Sequence, residues 1–145
     1  MQRFVMCAIA LMVTLGATGF AQMKITTFAE YQKNMQSTGG AFGATRKAIA
    51  SGAFADAKTQ LATARQGFVN LQTFWTGQNQ EEAMGILKTA LTQVDALDKM
   101  LSMATPNQEE LLAQAKMVQG ACGACHKMHR EGENPPGYTI RGVTF

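Results

Sequence analysis

The residues most able to do chemistry lie near the carboxyl end of the chain, in Cys122-Gly123-Ala124-Cys125-His126. Two thiols separated by two residues can form thioether bonds to the two vinyl groups of a haem, and an imidazole directly after them can bind the iron. On a helix, these three side chains fall within about one turn of each other. We therefore predict one covalent haem c, attached through Cys122 and Cys125, with His126 as an iron ligand.

Three other interpretations of the same residues carry less weight. A redox dithiol normally opens a helix after a strand, and the sequence has no strand pattern. A zinc site needs a fourth strong ligand, and the other histidine is His129, three residues further on. A structural disulfide would explain the two cysteines but would leave His126 without a role.

The amino terminus has the pattern of an export signal. Arg3 gives a short positive region, residues 4–16 are almost wholly apolar, and Gly19 and Ala21 fit the small-residue rule at a cleavage site. We predict that residues 1–21 are a signal peptide. The alternative, an uncleaved membrane anchor, is disfavoured because the apolar run is shorter than the roughly 20 residues that span a bilayer. The mature protein is therefore expected in the bacterial periplasm with no membrane span.

Composition limits the remaining classes of function. The chain of 145 residues is long enough for one domain, with 46% hydrophobic and 16% charged residues. Its formal charge is +3, and no basic run alternates with aromatic residues, so we expect no nucleic-acid partner. Cys7 should leave with the signal peptide. No paired carboxylates or nucleophile–base set accompany the predicted site, so an enzyme is not expected.

Helix patterns account for the segments that must position the motif. The first helix opens at Thr27 with a capping box completed by Glu30, and it runs to about Ala50. In the second helix, apolar residues recur every three or four positions until residues 76–79 break the pattern. This stripe comprises Phe54, Ala57, Leu61, Ala64, Phe68, Leu71 and Trp75.

The third and fourth helices follow after short connections. The third begins at about Gln80, and the fourth is predicted to open with Thr105 as its cap, Pro106 in the first helical position and Gln108 completing a capping box. Their stripes are Met84, Leu87, Leu91, Val94 and Leu101 in the third helix, and Leu111, Ala115, Val118, Cys122, Cys125 and His129 in the fourth.

Short connections place successive helices antiparallel. The sequence therefore predicts an all-α protein, an antiparallel up-down-up-down four-helix bundle over residues 22–131 with haem attached on the fourth helix. Residues 132–145 form a C-terminal extension. Its apolar residues can either fold back onto the bundle or dock a partner, and the sequence leaves both open; they are Tyr138, Ile140, Val143 and Phe145.

Three glycines interrupt the first helix. Gly39, Gly40 and Gly43 each destabilise a helix by about 1 kcal/mol relative to alanine. Their clustering indicates that something large lies against the backbone, and we take the porphyrin as the candidate, with Gly39 and Gly40 as haem contacts. The alternative is close contact with another helix or another subunit.

Taken together, the motif in the last of four helices, with the basic residue Arg130 four positions after His126, resembles the cytochrome c′ family, the class II c-type cytochromes. The similarity covers about Phe28 to Arg130 and includes the first-helix segment Tyr31–Gly40. The resemblance implies homodimers formed through the first two helices. His129 departs from the family pattern, which usually has an aromatic residue there, and we expect it to be a packing residue; Arg130 is a candidate haem contact.

The resemblance also identifies a distal position on the first helix. In the family, the residue over the open face of the iron lies four positions before a glycine, and Met35 stands there, before Gly39. A low-spin subgroup has methionine at this position and a six-coordinate iron. Most of the ten methionines are expected to be core residues. Met35 is the candidate distal ligand.

These expectations lead to a mono-haem electron carrier that exchanges electrons with redox partner proteins. The alternative is a five-coordinate protein that binds the diatomic gases NO or CO and has no sixth protein ligand. A third interpretation is a bound subunit of a larger redox complex, with the C-terminal extension as its contact.

Overall fold

Four helices account for most of the chain in a computed structural model that describes residues 23–132 and 137–145. They are α1 (Phe28–Ala50), α2 (Phe54–Gly77), α3 (Glu81–Leu101) and α4 (Gln108–His129). Each helix packs on the next in sequence, and α1 contacts α4 less extensively than these successive pairs contact each other. The predicted all-α four-helix bundle is confirmed.

The predicted signal peptide, residues 1–21, lies outside the described residues, as does Cys7. In the part of the chain that is described, no helix is long and apolar enough to cross a membrane.

The start of α1 follows the predicted capping box. The Glu30 backbone N–H donates to Thr27 Oγ1 (3.2 Å), and the Thr27 backbone N–H donates to Glu30 Oε2 (3.0 Å). The backbone N–H and the hydroxyl of Thr26 also donate to Glu30 Oε2, each at 2.8 Å. These hydrogen bonds favour the ionised carboxylate, so the pKa of Glu30 lies below its ordinary value, with the Thr26 N–H as the first cause.

The predicted start of α4 is wrong by two residues. Asn107 is the N-cap, and its Oδ1 accepts from the backbone N–H groups of Glu109 (3.0 Å) and Glu110 (3.2 Å). Gln108 completes no capping box. Its side-chain amide instead donates to the carbonyls of Ile49 (2.8 Å) and Ala50 (2.7 Å) in the last turn of α1. Gln108 thereby ties the start of α4 to the end of α1.

The core lies between the apolar stripes of the helices. The α2 stripe is buried as predicted apart from Phe54, which is partly buried, and Trp75 is fully enclosed. In α3, Met84 and Leu91 are only partly buried, and the buried face is rotated towards smaller residues. The buried α3 residues are Ala83, Leu87, Ala90, Val94, Leu97 and Leu101.

A buried polar network joins α1 to α2. Asn34 Nδ2 donates to the Gly67 carbonyl (3.1 Å), and Asn70 Nδ2 donates to Asn34 Oδ1 (3.0 Å). The helices approach so closely here that a Cβ built on Gly67 would overlap Thr38 Oγ1 and lie 2.9 Å from Thr38 Cβ. Gly67 of α2 therefore marks the point at which α2 approaches α1 closely enough to exclude a larger side chain.

Gly67→Ala is expected to destabilise the bundle by about 1–3 kcal/mol, because the new methyl group must displace backbone or a buried side chain. Thr38 cannot yield easily, since its hydroxyl is held by the Asn34 carbonyl at 2.7 Å. Gly85→Ala in α3 is the matched control: a Cβ there meets no atom within 4 Å, and stability should rise by about 0.5–1 kcal/mol. Urea denaturation measures the free energy of unfolding of both variants. A Gly67→Ala protein as stable as wild type would contradict the close packing of Thr38 against Gly67.

The C-terminal extension folds back onto the bundle. Its strand β2 (Thr139–Ile140) pairs antiparallel with β1 (Arg130–Glu131) at the end of α4. Beyond the strand, the Phe145 ring stacks on Phe74 with centroids 5.5 Å apart. Of the two alternatives that the sequence left open, folding back onto the bundle or docking a partner, residues 137–145 therefore have the first.

Candidate functional site

A slot between α1 and α4 consists of two adjoining cavities, of about 210 and 260 Å³. We call them the polar cavity and the apolar cavity. Met35 on α1 and Cys125 and His126 on α4 line both of them. Three residues predicted from sequence to contact one cofactor thus meet at one place, from opposite walls of the slot.

The lining of the two cavities differs in character. The polar cavity is completed by Tyr31, Gln32, Gln36, His129, Arg130, Tyr138 and Ile140. The apolar cavity is completed mainly by Thr38, Gly39, Phe42, Gly43, Arg46, Phe68, Leu71, Ile86, Leu87, Ala90, Gln119, Ala121 and Cys122.

Both cysteines are free thiols that are partly buried at the slot. Burial raises the pKa of Cys122, and burial together with the neighbouring Cys122 raises the pKa of Cys125 to about 11. Redox-active and nucleophilic thiols normally sit where the pKa is lowered. The surroundings of these thiols therefore disfavour the redox-dithiol interpretation and leave them as protonated groups facing the slot.

His126 lies one residue beyond Cys125, on the solvent-exposed side of α4 at the slot. Partial loss of water around the ring and, secondly, the charge of Arg130 lower the pKa of His126. The neutral imidazole is the form that binds metal ions. The local electrostatics thus favour the form that a ligand needs.

The α1 wall presents Met35 and, one turn earlier, Tyr31. Met35 is partly buried, and Tyr31 is almost fully enclosed. Burial is the first cause that raises the pKa of Tyr31, so its hydroxyl stays protonated. Tyr31 was not predicted as a site residue, although its spacing of four from Met35 places both on one helix face.

The first-helix glycines do not all face the slot. Gly39 and Gly43 line the apolar cavity, whereas Gly40 lines neither cavity. A Cβ built on any of the three would meet no atom within 4 Å. Close packing against another helix of the described residues therefore does not explain these glycines, and their backbone borders open space instead.

The carboxyl end of α4 contributes two further residues to the polar cavity. The Arg130 guanidinium lies 4.3 Å from the centre of the Tyr138 ring. His129 is buried, with its ring 4.9 Å from that of Trp75, as expected for a packing residue. Among the described residues, neither His129 Nε2 nor Trp75 Nε1 has a hydrogen-bond partner.

Sequence reasoning missed two groups of residues that line the slot. One is the set of apolar side chains from α2 and α3, which we call the floor of the slot, and the other belongs to the C-terminal extension. Phe68, Leu71 and Leu87 belong to predicted stripes, but periodicity alone does not distinguish a residue that packs on another helix from one that faces a cavity. Tyr138 and Ile140 come from the extension, whose position the sequence left open.

The residues around the slot fit a haem. Apolar side chains of α2 and α3, a glycine-lined wall with open space beside Gly39 and Gly43, two thiols and an imidazole suit a covalently held porphyrin. Within residues 23–132 and 137–145, no three His, Cys, Asp or Glu side chains cluster in a way that would hold a metal ion by themselves.

Comparison with protein-family models, curated proteins and solved structures gives no match to this chain. Function is therefore inferred from the slot and from the motif on its α4 wall.

Proposed function

We propose that this chain is an exported mono-haem c-type cytochrome, similar to the low-spin members of the cytochrome c′ family, and that it carries electrons in the periplasm. Cys122 and Cys125 would hold haem c by thioether bonds, and His126 and Met35 would bind its iron. One observation carries the proposal: Met35, Cys125 and His126 line the same two cavities from opposite walls of the slot.

Each residue has a distinct task in this proposal. The thioethers of Cys122 and Cys125 fix the cofactor in the slot, and the imidazole of His126 directly follows them on α4. A bound haem supplies a one-electron iron couple. The Met35 thioether is a soft ligand that favours the ferrous state and thus a higher reduction potential. Two protein ligands also keep the coordination unchanged through the redox cycle.

The apolar floor of the slot has an electrostatic task. Phe68, Leu71 and Leu87 give one side of the apolar cavity a lining that disfavours water. A low local dielectric strengthens the influence of nearby charges and polar groups on the cofactor. In this proposal, the bundle both holds the haem in place and tunes its reduction potential.

The absorption spectrum of the purified holoprotein tests the proposal. We expect a low-spin spectrum in both oxidation states and no change on adding carbon monoxide. A high-spin protein that binds the gas would instead support the five-coordinate alternative, a cytochrome c′-like NO- or CO-binding protein. Protein exported and matured with a working haem-attachment system, yet free of haem, would exclude both.

Partners follow from the same proposal. An electron carrier needs redox partner proteins, and a homodimer through α1 and α2 is expected from the resemblance to the cytochrome c′ family. Sedimentation of the holoprotein tests the dimer. The chain is not proposed to be an enzyme.

Filling the slot should block the cofactor. Gly39→Leu places a large side chain in the open space of the apolar cavity, so we expect haem content to fall at least fivefold while the helical fold persists. Gly40→Leu is the matched control, since Gly40 is the next residue, is also helical and lines neither cavity. Haem per protein, from absorbance after denaturation, gives the comparison. Equal haem content in the two variants would contradict the assigned slot.

A further inference from the structure

Arg130 is a cation without a carboxylate partner among the described residues. The ion pairs in that part of the chain join Lys58 to Asp98, Arg65 to Asp95 and Arg141 to Glu131. Arg130 instead lies over the Tyr138 ring, at 4.3 Å, and both residues line the polar cavity. Its positive charge therefore lies at the edge of the slot, and no residue in the described ranges 23–132 and 137–145 forms an ion pair with it.

The neighbouring acid is held away from Arg130 by the extension. Glu131 follows Arg130 in strand β1, where successive side chains point to opposite faces. Arg141 binds Glu131, with Nε 2.7 Å from Oε1. The carboxylate closest in sequence to Arg130 is thus already paired with a residue of the extension.

The extension is fixed well enough to hold both contacts. Arg130 pairs with Ile140 across the two strands, and the Arg141 backbone N–H donates to the His129 carbonyl at 2.9 Å. The Tyr138 ring packs edge-on against Phe28 with centroids 5.5 Å apart. The ring beneath Arg130 is therefore braced from α1 as well as from the end of α4.

We infer that Tyr138 and Arg141 are positioning residues that keep the Arg130 charge beside the cofactor and thereby raise its reduction potential. This inference rests on the proposed haem site. An electron added to the iron makes the site more negative, so a nearby unpaired cation stabilises the reduced form. Loss of the Tyr138 ring frees the guanidinium to move into water. Loss of Arg141 leaves the Glu131 carboxylate without its ion-pair partner, so that its negative charge opposes the effect of Arg130.

The test is a set of reduction potentials on holoprotein variants. Arg130→Gln, Tyr138→Leu and Arg141→Gln should each lower the redox equilibrium constant about three- to tenfold; a tenfold change corresponds to about 59 mV for one electron. Tyr138→Phe keeps the ring and should match wild type. Lys99→Gln, an exposed position on α3 that lines neither cavity, controls for the loss of one positive charge.

A double variant separates positioning from general disturbance. In the Arg130→Gln background, Tyr138→Leu should produce no further change, because the charge that it positions is gone. An unchanged potential in both Tyr138→Leu and Arg141→Gln, or an equal shift with and without Arg130, would overturn the inference. If Tyr138→Leu fails to fold, Arg141→Gln decides alone. Haem-free wild-type protein would overturn the proposed function as well, whereas loaded variants with identical potentials would overturn only the positioning role.

Discussion

Replacing both Cys122 and Cys125 by serine is expected to abolish covalent haem attachment completely. The thioether bonds need the sulfur atoms, and a hydroxyl group does not replace a thiol in addition to a vinyl group. The bundle itself should survive, because both side chains are only partly buried and serine is close in volume to cysteine. Mass spectrometry of the denatured protein should show wild-type protein carrying haem and the double variant carrying none.

The chain offers a matched control for this experiment. Cys7→Ser changes the same atom in a residue that lies outside the described part and is expected to leave with the signal peptide. It should keep full haem content and the same mature mass. Covalent haem in the double variant would show that the motif is not the attachment site, and loss of haem in Cys7→Ser would contradict the expected processing.

Met35→Ala is expected to convert a low-spin, gas-insensitive protein into a high-spin one that binds carbon monoxide. Removing the thioether opens one side of the iron, and alanine leaves space where Met35 lines both cavities. The reduction potential should also fall, because a soft ligand that stabilises the ferrous state has gone. Absorption spectra of both oxidation states, with and without carbon monoxide, measure the change.

Met84→Ala is the control for Met35→Ala. Met84 is also partly buried in a helix, but it lines neither cavity. Its replacement should reduce stability modestly, by about 2 kcal/mol or less for a partly buried methionine, without changing the spectrum. Identical low-spin spectra for wild type and Met35→Ala would exclude Met35 as a ligand. A high-spin wild type would exclude it equally and favour the gas-binding alternative.

Local sequence signals were sufficient for most of the fold. The Thr27–Glu30 capping box and the spacing of the α2 stripe depend on residues within four positions of each other, so they are legible without tertiary information. The start of α4 was predicted wrongly for the complementary reason. Thr105 and Gln108 also have the residue types and spacing of a capping box. Gln108 instead donates to the Ala50 carbonyl at the end of α1, 58 residues away, and Asn107 is the cap.

Only the tertiary structure decided which residues face the slot. Gly39 and Gly40 are adjacent and equivalent in sequence, yet only Gly39 lines a cavity, because consecutive helical residues point about 100° apart around the axis. The close contact expected of small residues occurs at Gly67, whose partner Thr38 is far away in the chain. The extension, whose Tyr138 ring lies beneath Arg130, lines the slot because β2 pairs with β1, and strands of two residues are too short to be predicted from a sequence pattern.

The sequence by itself determined the reactive groups, the signal pattern and the four helices, because spacing along one helix decides whether two thiols and an imidazole can act together. What it left open was everything that depends on contacts between helices. Whether Met35 faces His126, and what surrounds Arg130, depend on how α1, α4 and the extension pack. Packing is non-local, and many residue patterns are compatible with one helical stripe.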